Sequence, residues 1–363
     1  MSSPRDSHGW RLFAAGIAAA ACFLALGCAG SVTPVGEGAE IAERDRVESL
    51  VRSVETLAAA RTNLGRYAAL QRRIAELGLS ERARSEGIDW FSLQRNVAIE
   101  LPGRSARIVY VVAHYDKIDA SPLHAASSLV NGLLDPLFSP LTLSSGAVDN
   151  ATGVAVALEL AAELAGGPLE HTYRILLVGS EESGLRGSRA HVARLSRAEK
   201  DAIDVAVVLD SVGLARTPNC VLRDVSDAAY VERALRAASR LGVPLETARL
   251  PAGASTDFEP FAHASFGSDL LRGLRFNLVG GLLPQRSWFT GEHRAPVLVF
   301  SGCDLQPLSD VILGQLLLPF GALHGALDRP GRVDARRLYE QLAIAASLIR
   351  ELEVPEPGSA AGR

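Results

Sequence analysis

Residues 174–188 read RILLVGSEESGLRGS, and the fold follows from how this stretch is read. Ile175 to Val178 is a short apolar run closed by Gly179, the pattern of a strand buried on both faces. Two adjacent carboxylates, Glu181 and Glu182, come next, then Gly184, Gly187 and a helical pattern from Ser188. A strand that ends in glycine and acids and re-enters a helix describes the carboxyl edge of an open α/β sheet, where such folds place their sites. Adjacent carboxylates repel each other unless a cation or a shared proton intervenes. An isolated pair is ordinarily a solvated turn, so the surroundings must decide.

Two further apolar runs behave the same way. Arg107 to Ala113 (RIVYVVA) ends in His114-Tyr115-Asp116, and Val205 to Leu209 (VAVVL) ends in Asp210. Asp149, in GAVDN, opens a helix from about Ala151 to Leu164, where the helix dipole favours an anion. NVAIEL at 96–101 alternates and stops at Pro102-Gly103. A helical period runs from Arg46 to Leu79, broken at Asn63-Leu64-Gly65. Further helices are expected near 188–195, 227–241 and 334–351, with strands near 245–250 and 296–300. This alternation predicts an α/β domain of three layers, a mostly parallel, doubly wound sheet flanked by helices. All the acidic strand ends then open onto one edge. One or two imidazoles with three or four carboxylates suit zinc, less often manganese or cobalt. In extended chain, residues i and i+2 share a side, so Asp116 is placed to orient the His114 ring.

The chain has 363 residues, 48% of them hydrophobic, enough for a sizeable core, and its net charge of −4 gives no basic field for nucleic acid. Arg5 and Arg11 precede a short apolar run, Leu12 to Leu26, which reads as a secretory leader and not a membrane span. Its ending, LALGC, resembles a bacterial lipobox, with Ala25 where Leu is usual. That resemblance implies lipidation of Cys28 and a membrane anchor, with cleavage by the ordinary signal peptidase as the alternative, and the lack of an acid after Cys28 points to an outer-membrane or periplasm-facing lipoprotein. Cys220 and Cys303 are then left as candidates for a disulfide in an oxidising compartment. No CxxC spacing occurs.

Taken in order, VVAHYD, GAVDNATGVAVALELA, LLVGSEESGLRGS and VVLDSVG resemble metallopeptidase family 28, the co-catalytic zinc aminopeptidases related to bacterial leucyl aminopeptidases. The likeness runs from about residue 47 to 350. It implies a phosphorylase/hydrolase-like zinc exopeptidase fold holding two zinc ions and acting on peptide or protein N-termini. By that resemblance Asp149 bridges the metals, His114 and Asp210 complete one, and Glu182 with a late histidine completes the other. Glu181 would be the general base. Family members carry acids at +4 and +10 after that histidine; His324, followed by Asp328 and Asp334, fits, whereas His293 precedes a strand. The implied organisation is a signal peptide at 1–27, a tether at 28–45, a catalytic domain at 46–352 and a tail at 353–363.

Three features depart from the family: the apolar insertion at 117–145, Phe258 where His is common after Asp257, and the long link from Phe300 to His324. They touch the substrate pocket, to which Asp257 is assigned, and not the metal ligands. The apolar segments 117–145, 268–290 and 303–323 read either as a lid or membrane-facing surface, or as an enlarged core. Two other functions remain open: a single-zinc glutaminyl-peptide cyclase, and a non-catalytic zinc-binding domain.

Overall fold

The computed structural model describes residues 41–89, 92–117, 144–251, 254–262, 295–303, 323 and 327–354. The leader, Cys28, His324, His293 and most of the three apolar segments lie outside the described residues.

Among the described residues, eight strands form one sheet, ordered β1-β2-β4-β3-β5-β8-β6-β7. They are β1 (Ala83–Gly87), β2 (Arg95–Leu101), β3 (Ile108–His114), β4 (Thr172–Val178), β5 (Ile203–Leu209), β6 (Asn219–Leu222), β7 (Leu245–Ala248) and β8 (Val297–Gly302). At the centre β4, β3, β5 and β8 run parallel. The flanking pairs β1–β2, β2–β4 and β6–β8 are antiparallel, and β7 lies parallel to β6. Every residue of β3 is buried. Val109, Val111 and Ala113 enter one core and Ile108, Tyr110 and Val112 the other, as a continuous apolar run requires when both faces are covered.

Helices supply the two outer layers. The first core takes α1 (Ile41–Ala58), α2 (Asn63–Glu76), α3 (Thr152–Leu164), α6 (Ala228–Leu241) and α8 (Ala335–Leu352). The second takes α4 (Arg186–Arg194), through Val192, and the short α7 (Glu259–Ala262), through Phe261; α5 (Arg197–Asp201) is a single capped turn. The three-layer expectation holds.

Some boundaries need correction. Helix α1 begins at Ile41, inside the expected tether, so the folded domain starts before residue 46. Asn63-Leu64-Gly65 is the first turn of α2 and not a break. Thr62 caps that turn, its hydroxyl accepting from the Gly65 N–H at 2.9 Å, so a glycine there costs little. Strands β1 and β6 were not expected: ARSEG has no apolar run and NCVL is four residues long, so each is defined by its pairing partner. A disulfide joins Cys220 on β6 to Cys303, just past β8.

The register sets the site. His114 lies level with Val178, and Val112 with Val208. The turns after β3, β4 and β5 therefore leave the sheet at one height, delivering residues 114–116, 179–182 and 210 to the same edge.

Candidate metal centre

His114, the last residue of β3, is 1% exposed and has carboxylates around it. Its Nε2 lies 3.0 Å from an oxygen of Asp149 and 3.7 Å from one of Asp210. Donor atoms of His114, Asp149 and Asp210 all lie within 4.8 Å of one another, and so do those of His114, Glu181 and Glu182. The structure thus brings together five of the six expected metal-site side chains. The sixth, His324, is outside the described residues. The imidazole-and-carboxylate donor set fits zinc.

Local backbone aims these groups. Ser180, just before Glu181, and Ser211, just after Asp210, both adopt left-handed conformations, each with φ of 56°. Such conformations are uncommon for residues other than glycine and concentrate at functional turns. Asp116 ties two strand ends together. Its carboxylate accepts from the backbone N–H groups of Glu181 (3.1 Å) and Glu182 (3.3 Å), and one oxygen sits 3.6 Å from His114 Nδ1. The ring is also 3.2 Å from the Asp116 carbonyl. The expected orienting role of Asp116 thus extends to the whole Glu181–Glu182 turn.

Three positioning side chains were given no role from sequence. Asn150 joins the Asp149 turn to the end of β5, donating to Leu209 O at 2.7 Å and accepting from Ser211 N at 3.1 Å. Its signal was its place in GAVDN beside Asp149. Asp328, fully buried, accepts from Val148 N at 2.7 Å and from the Ser144 hydroxyl at 2.8 Å. Arg66 of α2 is fully buried behind the same turns. Its signal was an arginine on the apolar stripe of a helix, level with Asn63 and Leu70.

Charge in this cluster is crowded. Burial pushes the Glu181 carboxyl well above the usual range; the His114 ring offsets this in part, while Asp257, Glu182 and Asp210 add to it. For His114 burial disfavours the charged ring, but Glu181, Asp116, Asp149 and Asp210 outweigh it and raise its proton affinity. Asp257, 1% exposed, is lifted to about 7 by burial, partly offset by His114, with Asp116 and Asp210 adding to the rise. Among the described residues neither of its oxygens meets a donor in good hydrogen-bonding geometry, although the nearby Ser188 hydroxyl also offsets part of the rise. Burial likewise lifts Asp328 to about 6, with Asp149 adding. A set of buried carboxylates that retain protons in the absence of a cation is a set that a dication would deprotonate.

Comparison with known proteins agrees with this geometry. Residues 96–270 match the model of peptidase family M28. Over that stretch the chain is similar to this family, and its fold is the zinc-exopeptidase fold. Aminopeptidase YwaD of Bacillus subtilis is 32% identical over 165 residues, covering 44% of this chain and 31% of that protein. The chain therefore matches about a third of the length of that curated relative. Among solved structures, a glutaminyl cyclase from an Acidobacteriales bacterium is 15% identical, with a TM-score of 0.60 over 90% of this chain and 99% of the other. A Zn-dependent exopeptidase from Parabacteroides distasonis is 14% identical, with a TM-score of 0.55 over 84% and 97%. At those identities the two structures speak to the fold alone.

Proposed function

We propose that this protein is a zinc-dependent aminopeptidase that removes N-terminal residues from peptides. The observation that carries this reading is the convergence of His114 with Asp149 and Asp210 on one side and with Glu181 and Glu182 on the other. In this reading His114, Asp149 and Asp210, together with Glu182 and His324, would hold two zinc ions. Asp328, four residues after His324, already braces the Asp149 turn, which supports the choice of that histidine. Bound zinc would lower the pKa of a water and polarise the scissile carbonyl.

The chain's own residues do the rest. Glu181 takes a proton from the attacking water on a carboxylate oxygen and passes it to the leaving amine nitrogen. Its raised proton affinity, caused first by burial, suits a group that must hold that proton between the two transfers. Asp116 fixes the turn carrying Glu181 through two backbone N–H groups. Asp257 offers a buried acceptor to the α-ammonium of the substrate.

In Glu181→Gln, peptide hydrolysis should fall by at least a hundredfold while zinc content per chain stays at the wild-type value. Retained hydrolysis would remove Glu181 from the mechanism. A second reading rests on one observation: among the described residues the two donor groups share a single imidazole, His114. A one-zinc centre that cyclises N-terminal glutamine would be consistent with that sharing. A metal count of one per chain, with pyroglutamyl product, would favour it.

A further inference from the structure

The metal-bearing turns are held from behind by one side chain that no ligand assignment includes. Arg66 lies on α2, outside the sheet, and is fully buried. Its Nε donates to Tyr115 O, in the peptide between His114 and Asp116. One terminal nitrogen donates to Ser145 O at 2.8 Å and to Leu57 O at 3.3 Å, and the other to Gly146 O at 3.0 Å. Gly146 stands three residues before Asp149. A single guanidinium thus grips the turn after β3 and the turn before α3. Neighbouring groups repeat the link. Asn63, one turn earlier on α2, accepts from Lys117 N at 3.0 Å and donates to Lys117 O at 3.1 Å, and Lys117 Nζ donates to Ser144 O at 2.8 Å.

The geometry matters because the two turns are distant in sequence and carry different ligands. A guanidinium presents several donors in a fixed plane, so it can set the spacing of carbonyls from two segments; an ammonium is a point charge without that fork. Arg66 also places a cation behind Asp149, Asp116, Glu182 and Asp328, limiting the mutual repulsion of the acids. Arg73 supplies the contrast. It is on the same helix and 2% exposed, but it bonds to Ser49, Ser53 and Glu76 and pairs at 4.0 Å with Glu159 midway along α3, none of which is a metal-site side chain.

We infer that Arg66 is a positioning residue for the metal centre: its guanidinium sets the separation of the turns carrying His114 and Asp149 and thereby the affinity for zinc. The inference rests on the metal-centre reading above.

The test titrates zinc into the metal-free full-length protein against a chromophoric chelator, and records the visible absorption of the cobalt-loaded form. Arg66→Lys should bind zinc ten- to a hundredfold more weakly, the range typical for loss of a group that orients ligands, and should alter the cobalt spectrum. Arg73→Lys should lose thermal stability but bind zinc as wild type. Wild-type affinity in Arg66→Lys, or an equal loss in Arg73→Lys, overturns the inference. Should Arg66→Lys fail to fold, Gly146→Ala serves instead. A Cβ there would lie 2.7 Å from a terminal nitrogen of Arg66 and 2.8 Å from Lys117 Cβ, at a φ of +62°, so it displaces the guanidinium and strains the turn that the guanidinium grips. Weakened zinc binding is expected of it, and unchanged binding counts against the inference. Wild-type protein that takes up no zinc overturns the metal-centre reading itself.

Discussion

Glu259, two residues beyond Asp257, sits on α7 at 5% exposure, with the Ser255 hydroxyl donating to one oxygen at 2.8 Å. Burial lifts its pKa from 4.5 to about 7; Ser255 and the Arg189 charge offset only part of that. A folded pKa above the unfolded one means that the folded state binds the extra proton between those values. Its stabilising contribution is complete below about pH 4.5 and is lost as the pH rises through about 7. Glu259→Gln removes that titration. Relative to wild type, both freed of metal, the variant should be equally stable near pH 4.5 and more stable at pH 8.5 by about 3 kcal/mol. Urea unfolding at the two pH values checks this. An equal difference at both would mean that Glu259 does not titrate in this range.

At the scale of elements, α3 packs tightly against the end of β5 beside the site. Gly153, in its first turn, leaves so little room that a Cβ would meet Leu209 O at 2.3 Å and an Asn150 side-chain oxygen at 2.5 Å. The helix can lie against the end of β5 only because this position has no side chain. Gly153→Ala should push α3 and the Asp149 turn away from Asp210. The expected cost is about 1–3 kcal/mol of stability, the range for overpacking. Zinc affinity should also fall, because Asn150 would lose its hold on Leu209 and Ser211. Thermal unfolding read beside zinc titration tests this, and lost stability with intact zinc binding would show that the Asp149 turn moves independently of α3.

For the whole molecule, the Cys220–Cys303 disulfide closes an 83-residue separation across β6 and β8. Disulfides persist in oxidising compartments, which supports a proposal of export. None of the helices among the described residues is long and apolar enough to cross a membrane. We propose that the protein is exported and held at the outer membrane by acylated Cys28, followed by a short tether that ends at α1. Cys28→Ser should move the protein from the membrane fraction to the soluble periplasmic fraction with its zinc centre intact. A variant that stays with the membrane would show that the anchor lies elsewhere.

The sequence by itself determined the parallel core and the acids at its edge. Strands buried on both faces carry continuous apolar runs, as at Ile108–Ala113, Ile175–Val178 and Val205–Leu209, and the acids that follow them at Asp116, Glu181 and Asp210 stand out for the same reason. Strand β1 at one edge and β6, between β8 and β7, were illegible, because ARSEG and NCVL take their conformation from their pairing partners and not from any pattern of their own. The roles of Arg66, Asn150 and Asp328 were equally hidden. Each acts on backbone groups far away in sequence: Arg66 on Tyr115 and Gly146, Asn150 on Leu209, Asp328 on Val148. Local pattern records which residues are apolar, charged or turn-forming. It carries no record of which carbonyl a buried guanidinium will meet, and that was settled only when α2 packed behind the metal-bearing turns.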